Sequence, residues 1–439
     1  MNLIYGIKDK PKFGQIILFA LQQLLAIMAA TIAVPAIIGN GMSQTAALFG
    51  AGCGTIVYLL FTRFKSPVFL GSSFAFLGSM ATAFAGAVSM EAGYVGLILG
   101  AVFAGLVYVV IAVVVKLCGV NWVNKLMPAV VIGPTVAIIG LSLSSNAVGD
   151  LMKSSVEGGN TYVAMICGLV TLAVVMLCST FGKKMAKMIP FIIGILAGYV
   201  VASIFTVIGI LTDNAALMII NFSLFQSIQW IPSFTFITAA KGLSELTGSY
   251  IATVAVAYVP VAFVVFAEHI ADHKNLSSII GADLLEDPGL HRTLLGDGIG
   301  SMVGAFFGGC PNTTYGESVG CVAISGNASV VTILATAILA IVISFFGPFA
   351  TFLATIPSCV MGGVCISLYG FIAVSGLKMI QSEDLNDNKN LFVVSVILIA
   401  GVGGMTVSFG NVTVTEVACA LILGILTNVM LNRKEKKDN

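Results

Sequence analysis

Charge is what this sequence has least of. Only 9% of its 439 residues are Asp, Glu, Lys or Arg, against roughly a quarter in ordinary soluble domains. Apolar residues make up 58%, and mean hydropathy is +1.06. This excludes a soluble globular domain, a disordered chain and a nucleic-acid binder, which would need clustered positive charge. The net charge of +1 implies no acidic or basic partner. The nine cysteines show no C-x-x-C pair. They read as small buried apolar residues, not as a disulfide or zinc framework, and no metal or cofactor is expected. What is plentiful is Gly, 48 residues of it, which suits helices packed closely in lipid.

A transmembrane helix needs about 20 mostly apolar residues. Fourteen runs qualify, near 15–33, 44–62, 68–83, 94–117, 127–149, 162–181, 188–212, 249–272, 291–308, 311–325, 328–350, 353–373, 391–408 and 415–431. The third and tenth are short and interrupted. The first follows Lys8, Lys10 and Lys12, is too long for a signal-peptide core and lacks an A-x-A cleavage site, so it is expected to stay as a span.

Lys and Arg are retained on the cytoplasmic side during insertion. With the N-terminus inside and fourteen spans, eighteen of the twenty fall inside, and only Lys153 and Lys241 fall outside. Thirteen spans would put the basic tail of Arg433, Lys434, Lys436 and Lys437 outside. Both termini are therefore expected in the cytoplasm, and the protein in the inner (plasma) membrane. The segment 213–248, with Trp230, reads as an outer interfacial excursion. Fourteen spans divide into seven and seven. Because seven is odd, any duplication must be an inverted repeat, a common plan among secondary transporters.

One trace of such a repeat is visible. Span three contains Gly71-Ser72-Ser73-Phe74-Ala75-Phe76, and span ten contains Pro311-Asn312-Thr313-Thr314-Tyr315-Gly316-Glu317. Both stretches are small, polar and third in their half. Lipid offers no hydrogen bonds, so broken backbone must be buried in protein or line a watery cavity. Short extended segments that cross near mid-membrane, each followed by a half-helix, are expected here. Their N–H groups and helix N-termini would face a common cavity suited to anions or planar polar ligands. The alternative is ordinary helix kinks without a ligand.

Four acids stand out: Glu268, Asp272, Glu317 and Glu416. A carboxylate within a bilayer is costly and is usually functional or paired. Lys and Arg enter the spans only at their ends, as Lys116 and Arg292, so a fixed cationic partner within the membrane is not expected. A carboxyl that can take and release a proton is what proton-coupled transport needs. Glu268 and Asp272 are i and i+4 and share a helix face; hydropathy puts Glu268 near the cytoplasmic end of its span, unless the helix runs on past Asp272. His269 and His273 form a second such pair and read as structural or interfacial. Asp297 reads as a packing or anchoring residue, with a proton-relay role open. Glu416 reads as an outer-surface residue. Gly316-Glu317-Ser318-Val319-Gly320 matches the nucleophile elbow G-x-S-x-G, but no His follows residue 291, so the order Ser, acid, His fails and no enzyme is expected.

At these residues the chain resembles the nucleobase–ascorbate transporter family, most closely its bacterial uracil permeases. The resemblance rests on GSSFAF (71–76), AEHIADH (267–273), DPGLHRTLLGDG (287–298), GCPNTTYGES (309–318) and SLYGFIAVSG (367–376). It implies an all-α polytopic membrane protein whose fourteen segments form a 7+7 inverted repeat, with crossed extended strands in segments 3 and 10. It also implies a core domain (1–117 and 249–350) that moves against a gate domain (118–248 and 351–439). Carried over residue by residue, Glu268 and Glu317 would hold the nucleobase. Phe74, Tyr315 and Gly316 would add ring and backbone contacts, and Tyr369 a gate-side contact. Glu268, Asp272 and Gln23 are the proton-coupling candidates. Membrane lipids and a homodimer are the other implied partners.

The chemistry fits uracil independently. Uracil is planar, with two N–H donors for carboxylates and two carbonyls for backbone amides, and a site built to pair such edges rejects analogues lacking them. Aromatic rings pack on its face. The chain departs from the family at three places. Some relatives carry His four residues after the first Glu, where Asp272 stands here. Some carry Gln-His in span one, where Gln22-Gln23 stands. Asn often follows the second Glu, with Thr-Arg later; here Ser318 follows, with Ser325-Gly326 later. These departures bear on the proton pathway and the substrate. The expectation is a proton-coupled uracil importer, with a xanthine, guanine or other nucleobase symporter, or a passive facilitator, as alternatives.

Overall fold

The computed structural model describes residues 3–119, 121–126, 128–183, 186, 190–226, 228, 230–381, 383–409, 412–414 and 416–432. The basic tail of Arg433, Lys434, Lys436 and Lys437, and Lys184 and Lys187 among the lysines counted inside, lie outside the described residues.

The first half contains α1 (Phe13–Ile38), α2 (Gln44–Phe61), β1 (Leu70–Ser72), α3 (Leu77–Ala85), α4 (Met90–Cys118), α5 (Asn121–Leu126), α6 (Ala129–Ser142), α7 (Ser144–Leu151), α8 (Thr161–Phe181) and α9 (Pro190–Leu211). After a segment of short turns come α10 (Thr235–Gly242), α11 (Gly248–Ile280), α12 (Leu290–Gly308), β2 (Asn312–Thr314), α13 (Gly316–Ser325), α14 (Val330–Ile343), α15 (Gly347–Thr355), α16 (Ser358–Ile380), α17 (Asn388–Val402), β3 (Val407–Phe409), β4 (Val412–Val414) and α18 (Glu416–Asn432). Local chemistry sets many of these ends. Ser43, Ser89 and Thr247 cap α2, α4 and α11 by accepting from the N–H groups of Ala46, Ala92 and Tyr250. Gly281, Gly309 and Gly326 close α11, α12 and α13 in the left-handed conformation.

Among the described residues eight helices are long and apolar enough to cross a bilayer. There are nine if α14 and α15, bent by 84° at a short break, count as one. Large apolar side chains such as Val110 and Val113 of α4, Met176 of α8, and Ile204 and Leu211 of α9 point outward. His269, His273, Asp297 and Asn312 are buried inside. That inversion is what lipid as solvent demands, and the chain is a multi-pass membrane protein.

The boundaries differ from the sequence reading at three places. The expected eleventh and twelfth spans are divided differently: α14 stops at Ile343, the Pro-headed α15 straddles the proposed boundary, and α16 starts at Ser358. Proline at a helix start cannot donate to the preceding turn, so the chain bends there. The expected thirteenth run leaves the helix after Val402 at Gly403 and Gly404 and turns into the β3–β4 hairpin. In the opposite direction, α11 continues eight residues past the expected end.

Helices α2, α4, α11, α12 and α14 pack against one another, with α1 on α2 and α14. Helices α6, α8, α9, α16, α17 and α18 form a second group. The α2–α12 contact is close because glycines meet there. A Cβ on Gly54 would lie 2.6 Å from the Gly300 carbonyl oxygen, closer than real atoms approach. Residues before α1 are stitched to the α13–α14 connection. Ile4 N–H donates to the Gly326 carbonyl (2.7 Å), Ala328 N–H to that of Tyr5 (2.9 Å) and Val330 N–H to that of Ile7 (3.2 Å). The Ser329 hydroxyl donates to the Asp9 carbonyl (2.6 Å).

Candidate functional site

Two breaks in the helical backbone lie side by side and satisfy each other. β1 and β2 pair antiparallel, with Leu70 opposite Thr314, Gly71 opposite Thr313 and Ser72 opposite Asn312. Ser73 N–H extends the contact to the Pro311 carbonyl at 2.8 Å. The Thr55 hydroxyl of α2 accepts from Leu70 N–H at 2.9 Å and donates to the Leu70 carbonyl at 3.3 Å. Polar backbone inside an apolar protein needs such partners. Gly71 is required here, because a Cβ would run into the Tyr315 ring and lie 2.9 Å from the Thr31 hydroxyl. The Tyr315 hydroxyl donates to the Ser72 carbonyl at 2.7 Å, tying the two strands together again.

Immediately after β2, α13 begins at Gly316, and Glu317 occupies its first turn. The opposite wall is α11. Because α11 runs to Ile280, Glu268 and Asp272 lie well within the helix and not at a solvated end. The Thr314 hydroxyl donates to Asp272 at 2.9 Å. A Cβ on Gly316 would lie 3.7 Å from the other Asp272 oxygen, so this carboxylate lies across the start of α13. Glu268 is within electrostatic reach of Asp272, Glu317 and Asp297. Glu268, Asp272 and Glu317 each keep some accessible surface although protein encloses them, and Gly316 is exposed. Among the described residues, none of these acids makes an ion pair with Lys or Arg; the pairs present are Lys65–Asp287 and His269–Asp297. The arrangement brings carboxylate acceptors, backbone donors at a helix start and the Tyr315 ring into one neighbourhood.

Phe74 and Tyr369 form a second cluster, 5.7 Å apart between ring centroids and nearly perpendicular (79°). This contact joins the turn after β1 to α16. Phe74 and Ala75 also line a cavity of about 500 Å³ bounded by the ends of α1 and α6, the length of α3 and the starts of α7 and α18. Glu416 lines that cavity and stands apart from the three acids above. Gln23 reaches none of the carboxylates through a bond of its own. Its amide donates to the Ser318 hydroxyl at 2.5 Å, next to Glu317. That hydroxyl also accepts from Phe69 N–H at 3.0 Å and is fully buried. Ser318 thus joins α1, α13 and the approach to β1, and the elbow-like motif around it is a packing joint.

The sequence leaves the partner of the histidines unread. His269 Nδ1 lies 2.7 Å from Asp297, and both side chains are fully buried. Asp297 also accepts from the Thr313 hydroxyl of β2 at 3.3 Å, and His269 Nε2 meets the Thr293 hydroxyl at 3.0 Å. His273 continues the network to the Tyr58 hydroxyl at 2.7 Å, and Tyr58 donates to Ser66 at 2.7 Å. The residue after Glu268 therefore clamps α11 to α12 and β2. The i, i+4 spacing of the two histidines was a signal; the identity of the third helix was not.

Residues 14–409 match the sequence profile of the Permease family. A uracil permease of Bacillus caldolyticus is 37% identical over 433 residues, covering 98% of this chain and 94% of the relative. The uracil permease of Bacillus subtilis (strain 168) is 37% identical over 440 residues, with 98% and 96% covered. That of Escherichia coli (strain K12) is 34% identical over 424 residues, with 96% and 92% covered. Among solved structures, the transmembrane domain of the cyanobacterial bicarbonate transporter BicA superposes with a TM-score of 0.64 at 16% identity, covering 96% of this chain and 99% of that one. The murine anion transporter Slc26a9 in its inward-facing state gives 0.65 at 13% identity, covering 97% and 69%. These two likenesses concern the fold alone. The sequence relatives are permeases, which move solutes and catalyse no reaction, and the chain is likewise no enzyme. From the strand pair, the gathered acids and full-length kinship together, the chain belongs to this permease family, the nucleobase–ascorbate transporters.

Proposed function

We propose that this protein imports uracil by proton symport. Uracil is held between Glu268 and Glu317, with Tyr315, Gly316 and Phe74 on its face and edges and Tyr369 on the gate side. Glu268, Asp272 and Gln23 are the proton-coupling residues. Gln23 acts through its bond to Ser318, since an amide does not itself titrate. The reading includes fourteen membrane segments as a 7+7 inverted repeat, with the strands of segments 3 and 10 crossing at the site. A core domain (1–117 and 249–350) moves against a gate domain (118–248 and 351–439) to give alternating access, and both termini are cytoplasmic.

One observation carries the reading: Asp272, bonded to Thr314 of the unwound backbone, lies across the start of α13, whose first turn carries Glu317, with Glu268 one turn away on α11, and among the described residues none of the three pairs with Lys or Arg. Such an arrangement accepts N–H groups at the acids and donates to carbonyls at the backbone. The kinship with uracil permeases supplies the ligand that has both edges. The test is uptake of labelled uracil by cells expressing the chain. Accumulation above the outside concentration should collapse with a protonophore. Accumulation that survives the protonophore defeats proton coupling, and stronger competition by xanthine or guanine than by uracil itself reassigns the substrate.

A further inference from the structure

The 500 Å³ cavity beyond Phe74 is of the size that small-molecule sites have. It lies at the end of the bundle away from the Lys65–Asp287 pair. Its walls come from both helix groups: α1 and α3 on one side, α6, α7 and α18 on the other. Ile38, Leu77 and Leu143 give it apolar sides. Asn40, Ser142, Asn146 and Glu416 give it polar ones, and Glu416 is the one charged residue in its lining. Phe74 forms part of its floor, and the Phe74–Tyr369 ring pair stands beside it.

This combination repeats the chemistry of the central site: a carboxylate acceptor, amide donors, a ring and no lysine or arginine. An anionic ligand would meet only the Glu416 carboxylate and no compensating charge. A neutral planar heterocycle could give its N–H to Glu416, receive amide donors at its carbonyls and lie against apolar walls. Resting on the uracil reading above, we propose that this cavity is a second, outer binding site for the same nucleobase, occupied before the ligand passes Phe74, with Glu416 as its acceptor. Because its two walls belong to different helix groups, relative movement of those groups would dismantle it. The outer site is thus complete only in the arrangement described here, whereas the strand pair lies within one group.

Two measurements in intact cells test this. In Glu416→Gln, KM for labelled uracil should rise about three- to tenfold, the worth of one hydrogen bond, with kcat unchanged. In Asn146→Cys, a membrane-impermeant maleimide added outside should label the new thiol, and excess uracil should slow that labelling. No native cysteine lines the cavity, so the parent chain serves as the blank. An unchanged KM, a fall in kcat alone, or labelling indifferent to uracil overturns the outer site while the central one stands. A parent chain that takes up no uracil overturns the reading on which it rests.

Discussion

The two interrupted segments share a backbone plan and differ in their side chains. β1 and β2 are each three residues long, each precedes a short helix, and each supplies half of one antiparallel pair. From Leu70 to Ala85 the first carries no acid or base, and it offers rings and main chain. From Asn312 to Ser325 the second carries Glu317, and its threonines bond Asp297 and Asp272. The shared geometry solves a problem common to both, unpaired backbone in an apolar setting. The unlike side chains solve a different one, because a heterocycle with donors and acceptors on different edges needs unlike partners.

Glu317→Gln removes the carboxylate from the second segment and makes it chemically like the first. Loss of detectable uracil binding by the purified protein, with normal membrane insertion, is the expected result, and full uptake by that variant would undo the contrast. His269→Ala withdraws the clamp between α11, α12 and β2. It should lower thermal stability in detergent by about 2–4 kcal/mol, from the stranded polar groups and the void. The equivalent intrusion on the first strand, Gly71→Ala, forces a methyl group against Tyr315 and Thr31. A cost of about 1–3 kcal/mol should appear in the same melting experiment. Lys65→Ala is the control at the rim. Asp287 is 70% exposed and Lys65 36% exposed in their pair, so the change should be at most about 1 kcal/mol and should shrink with salt.

Some of this was legible from composition and pattern. The polytopic class follows from scarce charge and repeated apolar runs, and the interruptions announced themselves as Gly, Pro, Ser and Thr inside otherwise apolar stretches. Glu317 could be singled out because it follows such a stretch directly. The end of α11 was ambiguous for a physical reason. Hydropathy drops from Glu268 to Lys274, yet the helix persists because His269, Asp272 and His273 find partners on neighbouring elements. Those partners lie away in sequence: Asp272 and Thr314 are 42 positions apart, and Tyr58 and His273 are 215. A single sequence carries no signal for such meetings. The sequence reading runs its eleventh span straight through Gly347-Pro348, where the chain changes direction by 84°.

The stitching of residues 4–9 onto 326–330 has a consequence for biogenesis. A polypeptide emerges from the ribosome from its first residue onward, and domains fold as their parts become available. Residues 4–9 therefore have to wait, unfastened, until the segment 320 residues further along has been made. Only when Gly326 and Val330 arrive can Ile4, Tyr5 and Ile7 be tied down. The knot that finishes this part of the molecule is made with thread spun long before it.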